Sequence, residues 1–497
     1  MMPHLLYHDR DADLARRLSP LDEDLMSDLE LPRLLAAMAG GDPLVADVCR
    51  ALLLSPLQTA AEIRYRQAVL RDCLAHPAVL EELDALAARA LAAERAVYPG
   101  FLSTPESRLN HSVHVLEEFL PALEQLRTVV DRQRHAFVSE GLHALAARVE
   151  SELDDDFFQQ AEISVRSLAG SSGVLLSARL GKGNRGVEYR LRAPGSPREG
   201  VLGRLRLARP SGIVYRLPEN DEDGALALAA LRNRGVTLAS EALSQAVEHI
   251  HEFFRLLRAE LAFYRGCIQL HERVSARGML TCWPEPVDGP EPVLSCRGLY
   301  DVCLALTTEL PIVGNDVDAG RRPLLVVTGA NGGGKSTFLR SVGVAQLMMQ
   351  CGMVVPAQAF RAQVRTGVFS HFRREEDAAT DSGKLDQELR RMNALVDAVR
   401  PDGLLLCNES FASTNDREGS EIARQIVEPL VEAGVAVVLV THLFDLAHAW
   451  FAAGGNDTLF LRAESRPDGE RTFRIVLGPP EATSHGQDLY RQVFGSP

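Results

Sequence analysis

The sequence of 497 residues predicts an α/β domain with a parallel sheet over residues 291–497, preceded by a mostly α-helical region with a small β-rich insert. Three observations lead to this prediction. A glycine-rich turn joins a strand-like run to a helix-like run at 324–340. Further short apolar runs at 404–408 and 435–440 end in polar residues. Before residue 290, apolar residues recur mostly at helical spacing.

The composition is that of an ordinary globular protein, with 46% hydrophobic and 24% charged residues. The start of the chain has no basic flank followed by an apolar run, and no window approaches 18 uninterrupted apolar residues. We therefore expect neither a signal peptide nor a membrane span. The eight cysteines are scattered without a C-x-x-C pair, which favours reduced thiols in the cytoplasm over a disulfide framework or a zinc site.

Residues 1–105 are predicted to form a helical core region. Residues 19–22 and 42–43 offer helix N-caps, the second followed by proline at the first helical position. A basic run at 64–71 lies inside a predicted helix. It indicates either a contact face or a solvated, ion-paired face.

Residues 106–290 are predicted to form lever-like helices. Apolar residues from Leu243 to Ile268 alternate four and three apart, which predicts a helix roughly 40 Å long. We expect it to pack antiparallel against helices near 106–158, with the insert at the tip of the pair. The three aspartates at 154–156 indicate a solvated helix end rather than a metal site, because consecutive residues point in different directions on a helix.

The insert, at about 170–216, combines alternating apolar segments with a local excess of positive charge. The chain as a whole carries a net charge of −14, yet residues 179–216 contain ten Lys or Arg and two Glu. This pattern favours either a nucleic-acid interface or an exposed hairpin decorated with arginine. The glycines at 181, 183 and 186 are interpreted as a turn. Candidate nucleic-acid contacts are Arg179, Lys182, Arg185, Arg190 and Arg192.

The run 324–340 reads LLVVTGANGGGKSTFLR and places a strand, a G-x-x-x-x-G-K-S loop and a helix in sequence. Glycines let backbone N–H groups surround a polyphosphate, and the helix adds the positive end of its dipole. Lys335 supplies a positive charge to the β- and γ-phosphates, and Ser336 offers a hydroxyl to Mg²⁺. The loop predicts a nucleoside triphosphate site made by Gly329, Ala330, Asn331, Gly332, Gly333, Gly334, Lys335, Ser336 and Thr337.

The polar residues at the ends of the apolar runs 404–408 and 435–440 suit the hydrolysis of a bound triphosphate. Glu409 is the predicted base, or orienting group, for an attacking water. Asn408 stands where an aspartate commonly helps to hold Mg²⁺; it supplies an oxygen but no charge, which leaves slow hydrolysis or binding without turnover open. His442 is interpreted as a γ-phosphate sensor, with a structural role as the alternative. Ser382 precedes a polar helix and suits either anion binding or an ordinary cap.

These motifs resemble those of the MutS family, the ATPases of DNA mismatch repair. Residues 328–340 are similar to the family's TGPNxGGKSTxLR loop, and residues 408–419 to its DE…GTST…DG segment. Further similar stretches occur in the same order at Pro311–Asp316, Val355–Ala357, Thr441–His442 and Ser484–Gly486. The resemblance is specific over about 290–497 and weaker before it, where the helices and tip insert resemble the family's lever and clamp.

The resemblance implies a P-loop ATPase domain of the ABC/MutS type that uses ATP and Mg²⁺ in sites shared within a homodimer. Ser382 would then act on the nucleotide of the partner subunit, and the insert would lie at the DNA clamp. The chain resembles a divergent short form without the N-terminal mismatch-recognition domain and its Phe-x-Glu wedge, and without a nuclease domain. These departures concern mismatch reading rather than DNA clamping.

Two functional hypotheses follow. The first is a dimeric, nucleotide-gated clamp on DNA that acts in mismatch repair or related DNA transactions. The second is a nucleotide-switched assembly protein with weak or no hydrolysis and no direct DNA role. Asn408 and the acidic net charge favour the second hypothesis, whereas the basic insert favours the first.

Overall fold

The structure, a computed structural model, describes residues 2–14, 16–97, 104–169, 176–180, 186–191, 222–374, 383–465 and 471–481. The helices are α1 Pro20–Asp28, α2 Leu31–Ala39, α3 Pro43–Leu53, α4 Ala60–Ala75, α5 Pro77–Ala96, α6 Pro105–Gln133, α7 Glu140–Glu152, α8 Asp155–Ala169, α9 Glu222–Ala276, α10 Val302–Thr307, α11 Lys335–Gln350, α12 Lys384–Ala398, α13 Asp416–Glu432 and α14 Phe444–Ala453. The strands are β1 Leu176–Leu180, β2 Gly186–Leu191, β3 Glu285–Val287, β4 Leu294–Leu299, β5 Asn315–Gly320, β6 Leu324–Thr328, β7 Ala359–Gln363, β8 Val368–Phe372, β9 Leu404–Asn408, β10 Ala436–Val440, β11 Thr458–Ser465 and β12 Arg471–Leu477.

The chain divides into two compact units. Unit 1 comprises residues 1–3, 78–137 and 142–258, and unit 2 comprises residues 4–77, 138–141 and 259–497. The units are interleaved in sequence, so they do not coincide with the predicted domains 1–105, 106–290 and 291–497. Those domain boundaries stay predictions.

Unit 1 is built on apolar packing between long helices. Val113, Leu116 and Leu120 of α6 form a cluster with Val165 of α8, and partly buried residues of α9 pack against it. The rings of Phe119 and Phe254 lie 5.8 Å apart between centroids. The apolar seam therefore packs against α6 as predicted, but α9 is much longer than predicted, at 55 residues.

The predicted antiparallel orientation is wrong for α6. Ser112 contacts Ser244 and Phe119 contacts Phe254, so residue numbers rise together and α6 and α9 run in the same direction. α8 runs antiparallel to α6, since Arg127 near the end of α6 bonds Asp155 at the start of α8. Since α9 runs with α6 and α8 runs against it, α8 and α9 run in opposite directions. The apolar spacing marks which faces pack but not the direction of the partner.

The described part of the insert is a hairpin. β1 and β2 pair antiparallel, with Leu176 opposite Leu191 and Leu180 opposite Gly186. The rest of the predicted insert, including residues 181–185 and 192–216, lies outside the described residues.

Unit 2 contains a six-stranded sheet in the order β12-β11-β6-β10-β9-β8. All neighbouring strands are parallel except the pair β11–β12. One face of β6, β9 and β10 packs on α12, α13 and α14, whereas α11 contacts β9 and β10. Burial on both faces explains why these strands read as continuous apolar runs. A second sheet, in the order β3-β7-β4-β5, mixes parallel and antiparallel pairs.

The N-terminal caps are confirmed, and the basic run divides: Arg64 and Arg71 are exposed, whereas Arg66 makes an internal contact. Ser19 forms a capping box at α1, and Asp42 caps α3 ahead of Pro43. Arg66 of α4 is fully buried between the rings of Tyr7 and Phe263, and it donates hydrogen bonds to the carbonyl oxygens of Leu6 and Cys351. The alternative of a solvated face is therefore wrong at Arg66.

Other expectations concern cysteines, metals and membranes. The eight cysteines are free thiols, seven of them buried. Asp154 accepts a hydrogen bond from the backbone N–H of Phe157, and the described residues hold no cluster of His, Cys, Asp and Glu suited to a metal ion. Within the described part of the chain, no helix is long and apolar enough to span a membrane.

Candidate nucleotide-binding and hydrolysis site

The carboxyl ends of three neighbouring parallel strands form the floor of the site. β10 lies between β6 and β9, with Val440 opposite both Val327 and Asn408. The residues that follow each strand are therefore brought to one edge of the sheet. In open α/β sheets this edge is where ligands bind.

The glycine-rich loop connects β6 to α11, which begins at Lys335. Gly329 adopts φ +112°, and a Cβ built there would lie 2.9 Å from the backbone nitrogen of Ala463 on β11. Only glycine satisfies both the left-handed conformation and this close approach. The loop is thus held against β11 as a backbone surface on which N–H groups can face a polyphosphate.

Lys335 is buried and bonded to its own loop. Its Nζ donates hydrogen bonds to the carbonyl oxygens of Gly329, at 2.7 Å, and Ala330, at 3.0 Å. The pKa of Lys335 is lowered to about 8, mainly by burial; the charge of Glu409 opposes this shift, and the charge of Arg471 adds to it. A phosphate offers this ammonium group a stronger acceptor than two neutral carbonyl oxygens.

Ser336 and Asn408 meet beside the loop. The Ser336 hydroxyl donates a hydrogen bond of 2.9 Å to Asn408 Oδ1. Two neutral oxygens at this position fit a hard cation such as Mg²⁺, which prefers oxygen ligands and keeps several waters. The pair brings no negative charge, so phosphate oxygens would have to supply it.

Glu409 and His442 come from adjacent strands and contact each other. His442 Nε2 lies 2.8 Å from Glu409 Oε1, and Arg373 Nη1 lies 3.9 Å from Glu409 Oε2. The pKa of Glu409 is lowered, and the hydrogen bond from His442 is the largest cause. The charges of His442, Lys335 and Arg373 lower the pKa further, whereas burial raises it. Glu409 is therefore a carboxylate at neutral pH and can accept a proton. Its backbone adopts φ +54°, a strained conformation typical of functional sites.

A cavity of about 310 Å³ adjoins the phosphate loop and Glu409. Its apolar wall suits a flat heterocyclic base. The half-exposed Phe473 of β12 contributes to this wall with φ +56°. The apolar lining residues are Leu304, Leu310, Pro311, Ile312, Val313 and Phe473.

Sequence reasoning missed three side chains of the site: Arg373, Arg471 and Phe473. The guanidinium of Arg471 occupies the space beside Gly332, where a built Cβ would lie 2.3 Å from Nη1. Arg373 follows β8, and its N–H donates to the carbonyl oxygen of Asn408. These residues belong to no local motif, since only the pairing of β8 and the β11–β12 hairpin with the central sheet brings them to the loop. A search for polar or aromatic residues at every strand end could have found them.

Several predicted site residues cannot be placed. Ser382, Lys182, Arg185, Arg192 and the stretch 484–486 lie outside the described residues. Gly383 is the N-cap of α12, and Lys384 is its first residue. Arg179 lies opposite Val187, and Arg190 opposite Ser177, in the backbone pairing of β1 and β2. The predicted DNA contacts and the role of Ser382 stay predictions.

Comparisons with known families match two parts of the chain. The family model described as MutS2 N-terminal domain matches residues 58–277, and the one described as MutS domain V matches residues 325–476. The second match contains the phosphate loop, Asn408, Glu409 and His442.

Curated relatives are similar to limited parts of the chain. An endonuclease MutS2 of Anaeromyxobacter sp. (strain Fw109-5) is 33% identical over 172 residues, covering 34% of this chain and 21% of that protein. A MutS protein homolog 4 of Mus musculus is 26% identical over 229 residues, which cover 45% of this chain and 22% of that protein. A DNA mismatch repair protein MutS 2 of Haloarcula marismortui is 33% identical over 168 residues, which cover 33% of this chain and 18% of that protein. Each match thus spans about a fifth of the relative's length.

Proposed function

Because the chain belongs to the MutS family, we propose that it is an ATP-dependent DNA-binding protein whose nucleotide state opens and closes a dimeric clamp. We propose further that it acts in mismatch repair or a related DNA transaction. The observation that carries the proposal is the contact between Glu409 and His442 beside Lys335 and Ser336 at one sheet edge. This arrangement suits hydrolysis of a bound triphosphate.

In the proposed reaction, Lys335 and the loop N–H groups bind the β- and γ-phosphates. Glu409 accepts a proton from a water whose oxygen attacks the γ-phosphorus, while the bond to the bridging oxygen of ADP breaks. His442 holds the carboxylate through Oε1 and lies where a γ-phosphate can be sensed. Ser336 and Asn408 would hold Mg²⁺, which supplies charge neutralisation for the phosphates when bound.

The apolar wall of the cavity supports a stacked base, which we propose is the adenine of ATP. Leu310 and Phe473 are exposed by 74% and 49%, respectively, although both are large apolar side chains. A stacked base would remove them from water, which is favourable by about 25 cal/mol per Å² of apolar surface. Mixed polar and apolar lining of this kind is typical of nucleotide sites.

The DNA proposal rests on the basic segment 179–216 and on the printed names of the relatives. One of those relatives is named as a DNA mismatch repair protein and another as an endonuclease. The segment contains ten Lys or Arg in a chain whose net charge is −14, so positive charge is concentrated there. A homodimer would let Ser382 of one subunit act on the nucleotide of the other.

The DNA proposal is tested by fluorescence anisotropy of a labelled duplex at two salt concentrations, with ATP and Mg²⁺ present. Each phosphate contact lowers log K by roughly 0.9 per unit of log salt concentration, so a clamp that makes several contacts should weaken steeply. Replacing Arg179, Arg190 and Arg192 by alanine should weaken binding and flatten the slope. The matched control replaces three arginines outside the basic segment by alanine: Arg132 of α6, Arg134 at its C-cap and Arg166 of α8. This variant should leave the dependence of log K on log salt concentration unchanged. Absence of binding at low salt would refute the clamp.

The neutral Asn408 supports a second candidate, a nucleotide-switched assembly protein with little hydrolysis and no DNA role. Asn408→Asp tests it, because the carboxylate restores a charge beside Ser336. If missing charge limits turnover, this variant should hydrolyse ATP about tenfold faster and need less Mg²⁺, as expected for better electrostatic stabilisation. Wild-type protein that binds ATP without turnover, and also fails to bind DNA, would favour the second candidate.

A further inference from the structure

His371 is a buried histidine one strand away from the proposed general base. It lies on β8, opposite Cys407 of β9, and its side chain is fully buried. Its two ring nitrogens contact two different elements. Nδ1 is 2.7 Å from Ser410 Oγ, and Nε2 is 3.1 Å from the carbonyl oxygen of Glu388 on α12. The ring therefore connects the residue after Glu409 to helix α12.

The chemistry of the partners fixes the protonation of the ring. Burial lowers the pKa of His371 to about 4, so the ring is neutral near pH 7. A carbonyl oxygen can only accept, which places the proton on Nε2 and leaves Nδ1 to accept from the Ser410 hydroxyl. Ser410 Oγ also lies 3.0 Å from the carbonyl oxygen of His371 itself. The single hydroxyl proton of Ser410 is thus shared between two acceptors of one residue, the ring nitrogen Nδ1 and the carbonyl oxygen of His371.

The segment that His371 contacts is strained. Glu409 and Phe411 adopt φ values of +54° and +64°, and neither is glycine. Such a conformation is unfavourable for a residue that carries a Cβ and persists only where the surroundings hold it. The Phe411 ring stacks on the His371 ring, with centroids 5.6 Å apart and planes inclined by 24°. His371 therefore contacts both residues that follow Glu409 in the strained segment.

We propose that His371 is a positioning residue for Glu409: it holds the segment 409–411 through Ser410 and Phe411, and ties that segment to α12. The inference rests on the proposed hydrolysis of ATP, because positioning is measured through the turnover that Glu409 supports. α12 begins two residues after Ser382, the residue proposed to act on the partner's nucleotide. A displacement of α12 would reach Glu409 through the bond between His371 and Glu388.

A double-mutant cycle tests the link between His371 and Ser410. His371→Ala and Ser410→Ala should each lower kcat about tenfold, because small displacements of a catalytic group are costly. If His371 acts through Ser410, the double variant should also lose about tenfold rather than about a hundredfold. The affinity for a fluorescent ATP analogue should stay within about twofold, since no phosphate contact is removed. Ser370→Ala is the matched control, because it removes an equally buried hydroxyl, bonded to Asp28, from the neighbouring position on β8.

Two conservative variants separate the two contacts of the ring. The amide of His371→Asn can reach the position of Nδ1 and keep the bond to Ser410, whereas His371→Gln reaches towards Nε2 and Glu388. We expect His371→Asn to keep kcat within about threefold of wild type, a difference of less than 1 kcal/mol. Rescue by glutamine but not by asparagine would overturn the assignment of Ser410 as the contact through which His371 acts. These variants and Ser410→Ala also cover the case in which His371→Ala does not fold.

The outcomes separate this inference from the proposed function. In one contrary outcome, the wild-type protein hydrolyses ATP and the losses of kcat in His371→Ala and Ser410→Ala add up in the double variant. In another, the wild-type protein hydrolyses ATP and Ser410→Ala keeps the wild-type kcat. Either result overturns the positioning role and leaves the ATPase intact. Equal loss of kcat in Ser370→Ala shows general damage to β8 and also overturns it. Wild-type protein that binds ATP but does not hydrolyse it refutes the ATPase itself, and with it the positioning role. A loss confined to kcat, with coupling between His371 and Ser410, supports the inference.

Discussion

The two halves of the nucleotide site are built in different ways. The loop half, residues 329–337, is contiguous and bonds to itself, as Lys335 does with the carbonyl oxygens of Gly329 and Ala330. The strand-end half consists of Asn408, Glu409 and His442, which come from two strands and are held by contacts with further elements. Its geometry therefore depends on how the sheet packs.

The difference separates binding from turnover. The loop half presents its donors as soon as β6 and α11 form, so it should bind phosphate largely independently of its neighbours. The strand-end half needs β8, β9 and β10 in register, together with the buried contacts of His371. We therefore expect substitutions in the loop half to change affinity, and those in the strand-end half to change kcat.

Lys335→Ala should give the largest effect. Loss of a charged donor to two phosphates should weaken binding of a fluorescent ATP analogue about 100-fold, on the scale of charge-assisted hydrogen bonds. Arg424→Ala, an exposed substitution on α13, serves as the control and should bind as wild type does. An affinity within threefold of wild type for Lys335→Ala would contradict the division between the two halves.

Glu409→Gln should lower the steady-state ATPase rate by about tenfold or more, the contribution of a positioned general base. The amide keeps the size of the side chain but accepts protons poorly, so nucleotide affinity should change little. Glu421→Gln, an exposed change on α13, is the control. A parallel loss of affinity in Glu409→Gln would show that the two halves are not separable.

The pH dependence of binding should distinguish the halves again. A bound phosphate stabilises the ammonium form, so it raises the pKa of Lys335 above its free value of about 8. Affinity should be constant below pH 8 and fall by up to about tenfold per pH unit as pH rises from 8 towards the bound-state pKa. Lys335→Arg keeps its charge in this range and should flatten the profile of binding, measured by the same fluorescence titration.

Phe473→Ala should give the smallest effect. Loss of a stacking surface costs about 1 kcal/mol, or roughly fivefold in affinity for ATP. Binding of inorganic triphosphate should not change, because it lacks the base. An equal loss for both ligands would place Phe473 in the support of the loop rather than in the base site.

The sequence by itself determined the features whose physics is local. The phosphate loop follows from glycine freedom and helix geometry within 17 residues, the caps Ser19 and Asp42 from adjacent residues, and the central strands from apolar runs buried on both faces. The positions of Glu409 and His442 at strand ends were also predictable, because Glu409 directly follows β9 and His442 lies two residues after the end of β10. All of these signals lie within one element or its ends.

Only the tertiary structure decided what depends on which elements become neighbours. It buried Arg66 between two rings instead of leaving it on a solvated face, and it made α6 parallel to α9. It also brought Phe473 and Arg471 to the nucleotide site and His371 to the segment that follows Glu409. No local pattern encodes these outcomes, because the partners are separated by tens to hundreds of residues. A side chain's role is set by the groups that replace water around it, and those groups are known only once the chain has packed.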